Sequence, residues 1–385
     1  MKIHIDDGLK KILVIFIVYK ILMLSFATAS YYAVPEQFSH KNTELQNPLI
    51  SPWHQFDTRA YLDIATKGYN YEYGVTTTNF GWYPFYPFLI VAFGFVGHDT
   101  AAYLLPQIFS FLAIASMYIL LRQTWSERRT RKSIIYMLMF PSAYFLTSLY
   151  TEPIFLFFSC MTFYFAMKGR WYYAGAMGYF ATLTRFIGIS MFIPLLYMYM
   201  RERGFNIRNI DRRILFTLLI PAAFVTVMLY QYAALGDPFL QFYTQGQFSR
   251  GIGLPHDAFM NTLNEIVSTK SLFVAAYDYF NILMSLAFIF ILALCWKKIP
   301  PEYVMYAVFS FIMIFSSGIL SSVTRFELMM FPIFAAISGI SEKSRRMSIA
   351  IAAIFSIFFF MQMLALANHV NGEIDMVSFF RSLLV

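Results

Sequence analysis

Residues 11 to 33 form an almost unbroken apolar run, and comparable runs return at intervals to the end of the chain. No other feature limits the fold as tightly. A run of about 20 apolar residues carries a helix across the hydrocarbon core of a bilayer, where backbone amides find no water and must bond within the segment. Composition agrees, because 59% apolar and 13% charged residues, with a mean hydropathy of +0.57, leave too little polar surface to cover a soluble globule. The chain is therefore expected to be an all-α polytopic membrane protein, with residues 1–385 forming a single integral-membrane domain. The first run follows Lys2, Lys10 and Lys11, exceeds the length of a signal-peptide core and has no small-residue cleavage site before Tyr31-Tyr32. It reads as a retained anchor whose N-terminus is cytoplasmic.

Charge placement sets the expected topology. The formal net charge of +8 does not point to nucleic acid, because most of the 29 Lys and Arg fall in short connections that alternate with the apolar runs. These connections carry Arg122 to Lys132, Lys168 to Arg170, Arg201 to Arg213, Lys297-Lys298 and Lys343 to Arg346, and the positive-inside bias assigns them to the cytoplasm. Spans are then expected near 11–33, 100–121, 133–149, 153–167, 171–183, 187–200, 214–235, 272–296, 302–320, 327–340 and 348–368, about 11 crossings. Residues 34–83 form a first outer loop and 236–270 a second. The run 84–97 is short and carries Pro84, Pro87, Gly94 and Gly97. A crossing there would deliver the arginines after residue 121 to the wrong side, so it is read as re-entrant or interfacial. Cys160 and Cys295 sit in separate apolar runs, which argues against a disulfide framework or a metal cluster.

The first outer loop holds the most polar stretch of the chain, Trp53 to Tyr69, followed by Gly81-Trp82-Tyr83-Pro84-Phe85-Tyr86-Pro87. Asp57 is a suitable N-cap, Ala60, Ile64 and Ala65 give a less polar face, and Gly68 can end a short helix. Such a helix is expected at the membrane surface, held by Trp53, Tyr61 and Tyr69 at headgroup level. Glu152, Arg185 and Arg325 fall at outer ends of spans under the same topology. A charge near hydrocarbon costs about 2.5 to 3.5 kcal/mol, so each needs a partner or a wet cavity. Ordinary readings stand beside the functional one. Asp57 could cap its helix while Arg59 pairs with Asp63, Glu152 could favour a helix dipole, and the arginines and Lys20 could snorkel. Asp278 could be a helix-start charge. An acid and two arginines beneath a loop rich in Trp, Tyr, Gln and Asn nevertheless suit a sugar attached to a phosphate.

These residues resemble the GT-C superfamily of polyprenyl-phosphate-sugar-dependent glycosyltransferases, and within it the glycosylphosphatidylinositol mannosyltransferase II family, PIG-V. Phe56-Asp57, Tyr61-Leu62, Ile64-Ala65 and Gly68-Tyr69 are similar to the opening of that family's first outer loop, with Phe in place of Trp. Tyr83 to Pro87, Tyr150 to Phe155, Thr184-Arg185 with Gly188, and Arg325-Phe326 with Phe331-Pro332 are similar to its later elements. The Asn of the fourth element is absent.

The resemblance implies transfer of a hexose, mannose in this family, from a polyprenyl (dolichyl) phosphate to a lipid-linked or glycan acceptor. The reaction lies on the non-cytoplasmic side and is a single inverting displacement. Asp57 and Glu152 are the catalytic candidates, Asp57 as general base. Arg185 and Arg325 are phosphate clamps, and Tyr61, Trp82, Tyr83, Gln245 and Gln247 are further substrate contacts, the two aromatics at 82 and 83 offering stacking faces. No cofactor or metal is implied, although a divalent metal stays compatible. A lipid-linked glycan flippase or transporter, or a glycan ligase or polymerase of the same superfamily, would use a similar outer site. The topology has a direct check. A cysteine introduced at Asn42 is expected to react with an impermeant thiol reagent applied from outside and one at Ser126 to be protected; the reverse pattern would place Asp57 in the cytoplasm.

Overall fold

The computed structural model describes residues 7–33, 49–70, 79–246, 250–342 and 344–367. Asn42, Gln247 and Lys343 lie outside the described residues. Every regular element among the described residues is helical. In chain order these are α1 (Asp7–Ala33), α2 (Thr58–Lys67), α3 (Phe85–Ala92), α4 (His98–Leu121), α5 (Glu127–Leu138), α6 (Glu152–Met167), α7 (Trp171–Thr184) and α8 (Phe192–Glu202). They continue with α9 (Leu219–Leu235), α10 (Leu240–Gly246), α11 (Pro255–Ser268), α12 (Leu272–Cys295), α13 (Pro301–Phe315), α14 (Val323–Leu328), α15 (Phe331–Ser341) and α16 (Arg345–Ala367). The protein is an all-α polytopic membrane protein. Among the described residues, five helical segments are long and apolar enough to cross a bilayer: α1, α4, α9 with the 3-10 turns that lead into it, α12 and α16. The apolar helices α6, α13 and α15 are shorter.

Several expected spans break where proline or a tight turn interrupts the hydrogen-bond ladder. The run 133–149 is not one helix. It is α5, which already begins at Glu127 and takes in the basic connection, followed by a 3-10 segment Pro141–Leu146. Ser126 caps α5 by accepting from the Arg129 amide at 3.3 Å. Residues 187–200 likewise divide into a 3-10 turn, Phe186–Met191, and α8. The second outer loop is not open coil, since it folds as α10 and α11. Residues 84–97 form α3 and a 3-10 turn, with Phe88, Val91, Phe93 and Phe95 exposed, an apolar face suited to lipid and not to water.

Polar bonds at helix ends define two ends of the bundle. Lys168, just past α6, donates to Gln123, just past α4, at 2.7 Å. The Trp171 indole donates to Glu202 at 2.8 Å, and Arg201 grips Glu302 with two bonds of 2.7 and 2.9 Å. Lys11 reaches Glu127 at 3.3 Å. This end gathers the basic connections, whereas the opposite end begins α6 at Glu152 and holds α2, α3 and α10.

Aromatic packing joins α2 and its lead-in to that second end, which corrects the expectation of headgroup anchors. Trp53 is 1% exposed and stacks on Tyr144 with centroids 5.4 Å apart; Tyr61 is buried against Tyr86 at 5.1 Å. Tyr69 is half-buried, stacks on Phe80 and donates to the Trp82 carbonyl at 2.6 Å. Lys20 also differs from its expected snorkelling. Its ammonium is held inside by Gln107 at 2.8 Å, Thr147 at 2.9 Å and the Leu146 carbonyl at 3.1 Å, so three acceptors replace the water that snorkelling would have supplied. Asp278 is buried within α12 and not a solvated helix-start charge. Cys160 and Cys295 are free and buried.

Where α7 meets the turns before α9, the backbones touch because Gly175 lacks a side chain. A Cβ there would stand 2.0 Å from the Phe216 carbonyl oxygen, and backbone cannot yield as a side-chain tip can. Gly175→Ala is expected to destabilise the purified protein by about 1 to 3 kcal/mol, as overpacking does, read as a lower melting temperature. Gly246→Ala, whose added methyl meets nothing within 4 Å, should melt close to wild type. Equal melting of the two variants would contradict this contact.

Candidate active site

Asp57 occupies the residue before α2, but its carboxylate does not cap the helix. Its backbone is already helical, at φ −65° and ψ −12°, and no capping bond forms. The preceding residue explains the turn. Phe56 has φ +52°, a left-handed conformation that costs a non-glycine residue about 1 to 2 kcal/mol. That turn sends the Asp57 amide to the Tyr150 hydroxyl at 2.9 Å, and Tyr150 donates to the Gln55 carbonyl at 3.1 Å. Tyr144 donates to the Pro52 carbonyl, completing the attachment of this segment to the 141–150 turns. The alternative surface pair is also different from the one expected: Asp63 pairs with Lys67 at 2.7 Å, while Arg59 is exposed and forms no ion pair among the described residues.

The Asp57 carboxylate instead accepts from Arg325 at 2.8 Å. Arg325 projects from α14, whose N-cap residue Ser322 has φ +61°. Phe56 and Ser322 are two of the three non-glycine residues with positive φ among the described residues, and each lies within three positions of a site charge. Such backbone strain persists where surrounding contacts over-determine it. The Arg325 guanidinium lies over Phe145 and Tyr150, each at 4.7 Å, and its Nε donates to Glu152 Oε1 at 2.8 Å. The same Glu152 oxygen accepts from Arg185 at 2.9 Å, and Arg185 also donates to Thr151 Oγ1 at 2.8 Å. Four residues far apart in sequence thus form one continuous chain of ion pairs, Asp57–Arg325–Glu152–Arg185.

Exposure distinguishes the two carboxylates. The Glu152 side chain is 0% exposed, whereas that of Asp57 is 26% exposed. Tyr61 reaches Thr151 Oγ1 at 3.4 Å, and burial, with Asp57 adding to it, pushes the Tyr61 phenol up so that it stays neutral. Tyr83 is buried and donates to Gln241 at 2.7 Å. Its ring face is therefore not the open stacking platform the sequence suggests, while Trp82 remains half-buried. Gln245 is half-buried beside Gly81, whose missing Cβ would come within 2.9 Å of Gln245 Nε2. The 79–84 segment and α10 are joined by these contacts. Among the described residues no group of three or more His, Cys, Asp or Glu side chains converges as metal ligands would.

One residue was missed in the sequence. Arg250 follows α10, its NH2 donates to the Ser321 carbonyl at 3.0 Å, and its guanidinium lies 5.7 Å from the centre of the Phe326 ring. The other face of the site reaches the same ring, with Arg185 at 4.8 Å. Burial pushes Arg250 down to about 10, with Arg325 and Arg185 adding to the shift and Asp57 opposing it; it remains a cation at neutral pH. No carboxylate pairs with Arg250 among the described residues. The two acids are matched by Arg185 and Arg325, so Arg250 leaves the site one positive charge in excess. A signal was present in the sequence, since Arg250 is the lone charge between Asp237 and Asp257.

No protein-family model matches the chain, and no curated protein does. Solved structures do. ArnT from Cupriavidus metallidurans, bound to undecaprenyl phosphate, aligns over 92% of this chain and 76% of that chain, with a TM-score of 0.52 and 12% identity. The Archaeoglobus fulgidus oligosaccharyltransferase in complex with Zn and sulfate aligns over 92% of this chain and 54% of that chain, with a TM-score of 0.43 and 12% identity. AglB from the same organism, in complex with an inhibitory peptide and a dolichol-phosphate, has a TM-score of 0.41 and 10% identity over 91% of this chain and 55% of that one. The likeness to ArnT shows the fold: this chain has an ArnT-like helical membrane architecture.

The shared Glu152 oxygen generates a stability prediction. Glu152→Gln leaves two guanidiniums facing each other across a neutral amide, with Asp57 on the far side of Arg325 as the remaining acid, and Arg185→Gln leaves a buried carboxylate short of a partner. Each change is expected to cost about 3 to 5 kcal/mol, the usual result of breaking a buried pair. The double variant should recover part of that loss, measured as melting temperatures of the four proteins. Strict additivity would mean that the two residues do not interact.

Proposed function

We propose that this protein is a glycosyltransferase that takes a hexose, mannose by the PIG-V resemblance, from a polyprenyl-phosphate sugar. The acceptor is a lipid-linked or glycan hydroxyl on the non-cytoplasmic side. The shorter helices also cross in this reading, giving about 11 spans and putting the site end outside. The observation that carries it is the excess cation Arg250 beside a partly exposed carboxylate, Asp57, on a buried ion network. The ArnT structure, bound to undecaprenyl phosphate, supports a lipid-phosphate ligand for a fold of this kind.

Each residue then has a chemical task. Asp57, the acid that solvent reaches, accepts the proton of the acceptor hydroxyl as its oxygen attacks the anomeric carbon from the face opposite the phosphate. The bond between that carbon and the phosphate oxygen breaks, the anomeric centre inverts, and the polyprenyl phosphate leaves with one more negative charge. Arg250 meets that charge, with Arg325 and Arg185 contributing their remaining N–H donors, because a guanidinium presents paired donors to phosphate oxygens. Glu152, fully buried, orients both arginines, a positioning role. Tyr61, Trp82 and Gln245 belong to the sugar side, Gln247 is a sugar contact by the resemblance alone, and Tyr83 holds α10 through Gln241.

Asn at position 57 retains the shape of the side chain and cannot take a proton. Asp57→Asn is expected to bind the donor and to lose about two to four decades of turnover, the contribution of a positioned general base. The assay is transfer of label from polyprenyl-phosphate mannose to acceptor by the purified protein. Turnover above about a tenth of wild type would remove Asp57 from the base role. Movement of labelled lipid between leaflets without transfer would support a flippase instead.

A further inference from the structure

Away from the candidate active site, at the opposite end of the bundle, α1, α5 and the start of α16 enclose a cleft of about 450 Å³. Its α5 wall carries Arg128, Arg131, Lys132 and Ile135, residues spaced three, four and seven apart and therefore on one helix face. Ile15 of α1 faces them, and Glu342, Arg345 and Ser348 close the third side. The lining has four cations and one carboxylate. Lys132 is already engaged, by the Ser341 carbonyl at 2.9 Å and Ser348 Oγ at 2.6 Å, and Arg131 sits 3.4 Å from Glu127. Arg128 and Arg345 have no ion-pair partner among the described residues.

We propose that this cleft binds the headgroup of an anionic phospholipid. The phosphate requires the cations, and the acyl chains require the setting. Of the five spans, α1 and α16 are the least buried, so the cleft opens between the two helices that most face lipid. Its walls turn apolar along the same faces, through Ile15 and Ile135 to exposed Val18 and Ile349. A soluble phosphate would gain nothing from those walls. Basic pockets between membrane helices with this combination select phosphate-bearing lipid headgroups, and a cleft of this volume is in the range that ligand sites occupy. Arg128 and Arg345 grip the phosphate, Lys132 forms the fixed floor, and Glu342 limits how much negative charge the headgroup can bring. This site does not depend on the glycosyltransferase reading.

The experiment is native mass spectrometry of the detergent-purified full chain titrated with phosphatidylglycerol, and in parallel with phosphatidylcholine. Wild type is expected to hold one phosphatidylglycerol in preference to phosphatidylcholine. Arg128→Gln combined with Arg345→Gln should weaken that binding about thirtyfold, two cations at about 1 kcal/mol each. Lys297→Gln with Lys298→Gln removes two charges outside the cleft and should leave the binding unchanged, and both double variants change surface side chains that the fold does not bury. Loss of binding in both, or in neither, would overturn the cleft as the site. Glycerophosphoglycerol, the same headgroup without acyl chains, should fail to compete; if it competes as well as the lipid, the occupant is a soluble phosphate and the lipid assignment is wrong.

Discussion

A single carboxylate oxygen, Glu152 Oε1, holds two guanidiniums, and the rest of the site depends on it. In an apolar bundle an unpaired charge is costly, while a paired one fixes geometry. By accepting from Arg185 at 2.9 Å and from Arg325 at 2.8 Å, Glu152 joins the start of α6 to the end of α7 and to α14. Arg325 then extends to Asp57 and brings in the polar segment before α2. Four stretches of chain separated by up to 268 positions meet through three short bonds. The same chain of charges offsets the left-handed turns at Phe56 and Ser322, because releasing either turn would also release a buried ion.

This arrangement separates positioning from chemistry. Glu152 is sealed and its charge is spent on the arginines, whereas Asp57 keeps part of its side chain exposed. Arg250 is held by backbone carbonyls and by the Phe326 ring and brings no counter-charge of its own. In the proposed reading this prepares the site for an anion before one arrives, with a carboxylate nearby whose partner, Arg325, would also face that anion. At the far end, the charges of Arg128, Arg131, Lys132 and Arg345 are gathered for a different reason, since they line a cleft that opens toward lipid. The two ends have similar chemistry, cations beside apolar walls, and differ in whether a carboxylate with reactive exposure stands among them.

Much of this was legible in the sequence because a charged residue in an oily run has few explanations. Glu152, Arg185 and Arg325 stood out for that reason, Asp57 stood out as the acid in the polar stretch of the first outer loop, and the structure brings all four together. Arg250 did not stand out, because a polar residue in a loop is ordinary and only its isolation from other charges marked it. Lys20 misled in the opposite direction: its depth was readable, but its acceptors come from α4, at Gln107, and from the 141–147 turns, at Leu146 and Thr147, 87 to 127 positions away, and nothing local announces them. Aromatic anchors were misjudged at Trp53 and Tyr61, since an amphipathic ring suits a headgroup layer and a packed core equally well. Helix ends were the least legible, because the breaks near residues 140 and 186 are 3-10 turns whose residues are as apolar as the helices around them.

The central claim is that the ion network and Arg250 receive the phosphate of a polyprenyl lipid. A structure of the purified protein with undecaprenyl phosphate bound tests it most directly. The account predicts phosphate density in contact with the Arg250 guanidinium and on the open side of Asp57, with the Glu152 pairs to Arg185 and Arg325 intact. Phosphate density elsewhere, with Arg250 still held only by the Ser321 carbonyl and its neighbours, would contradict it.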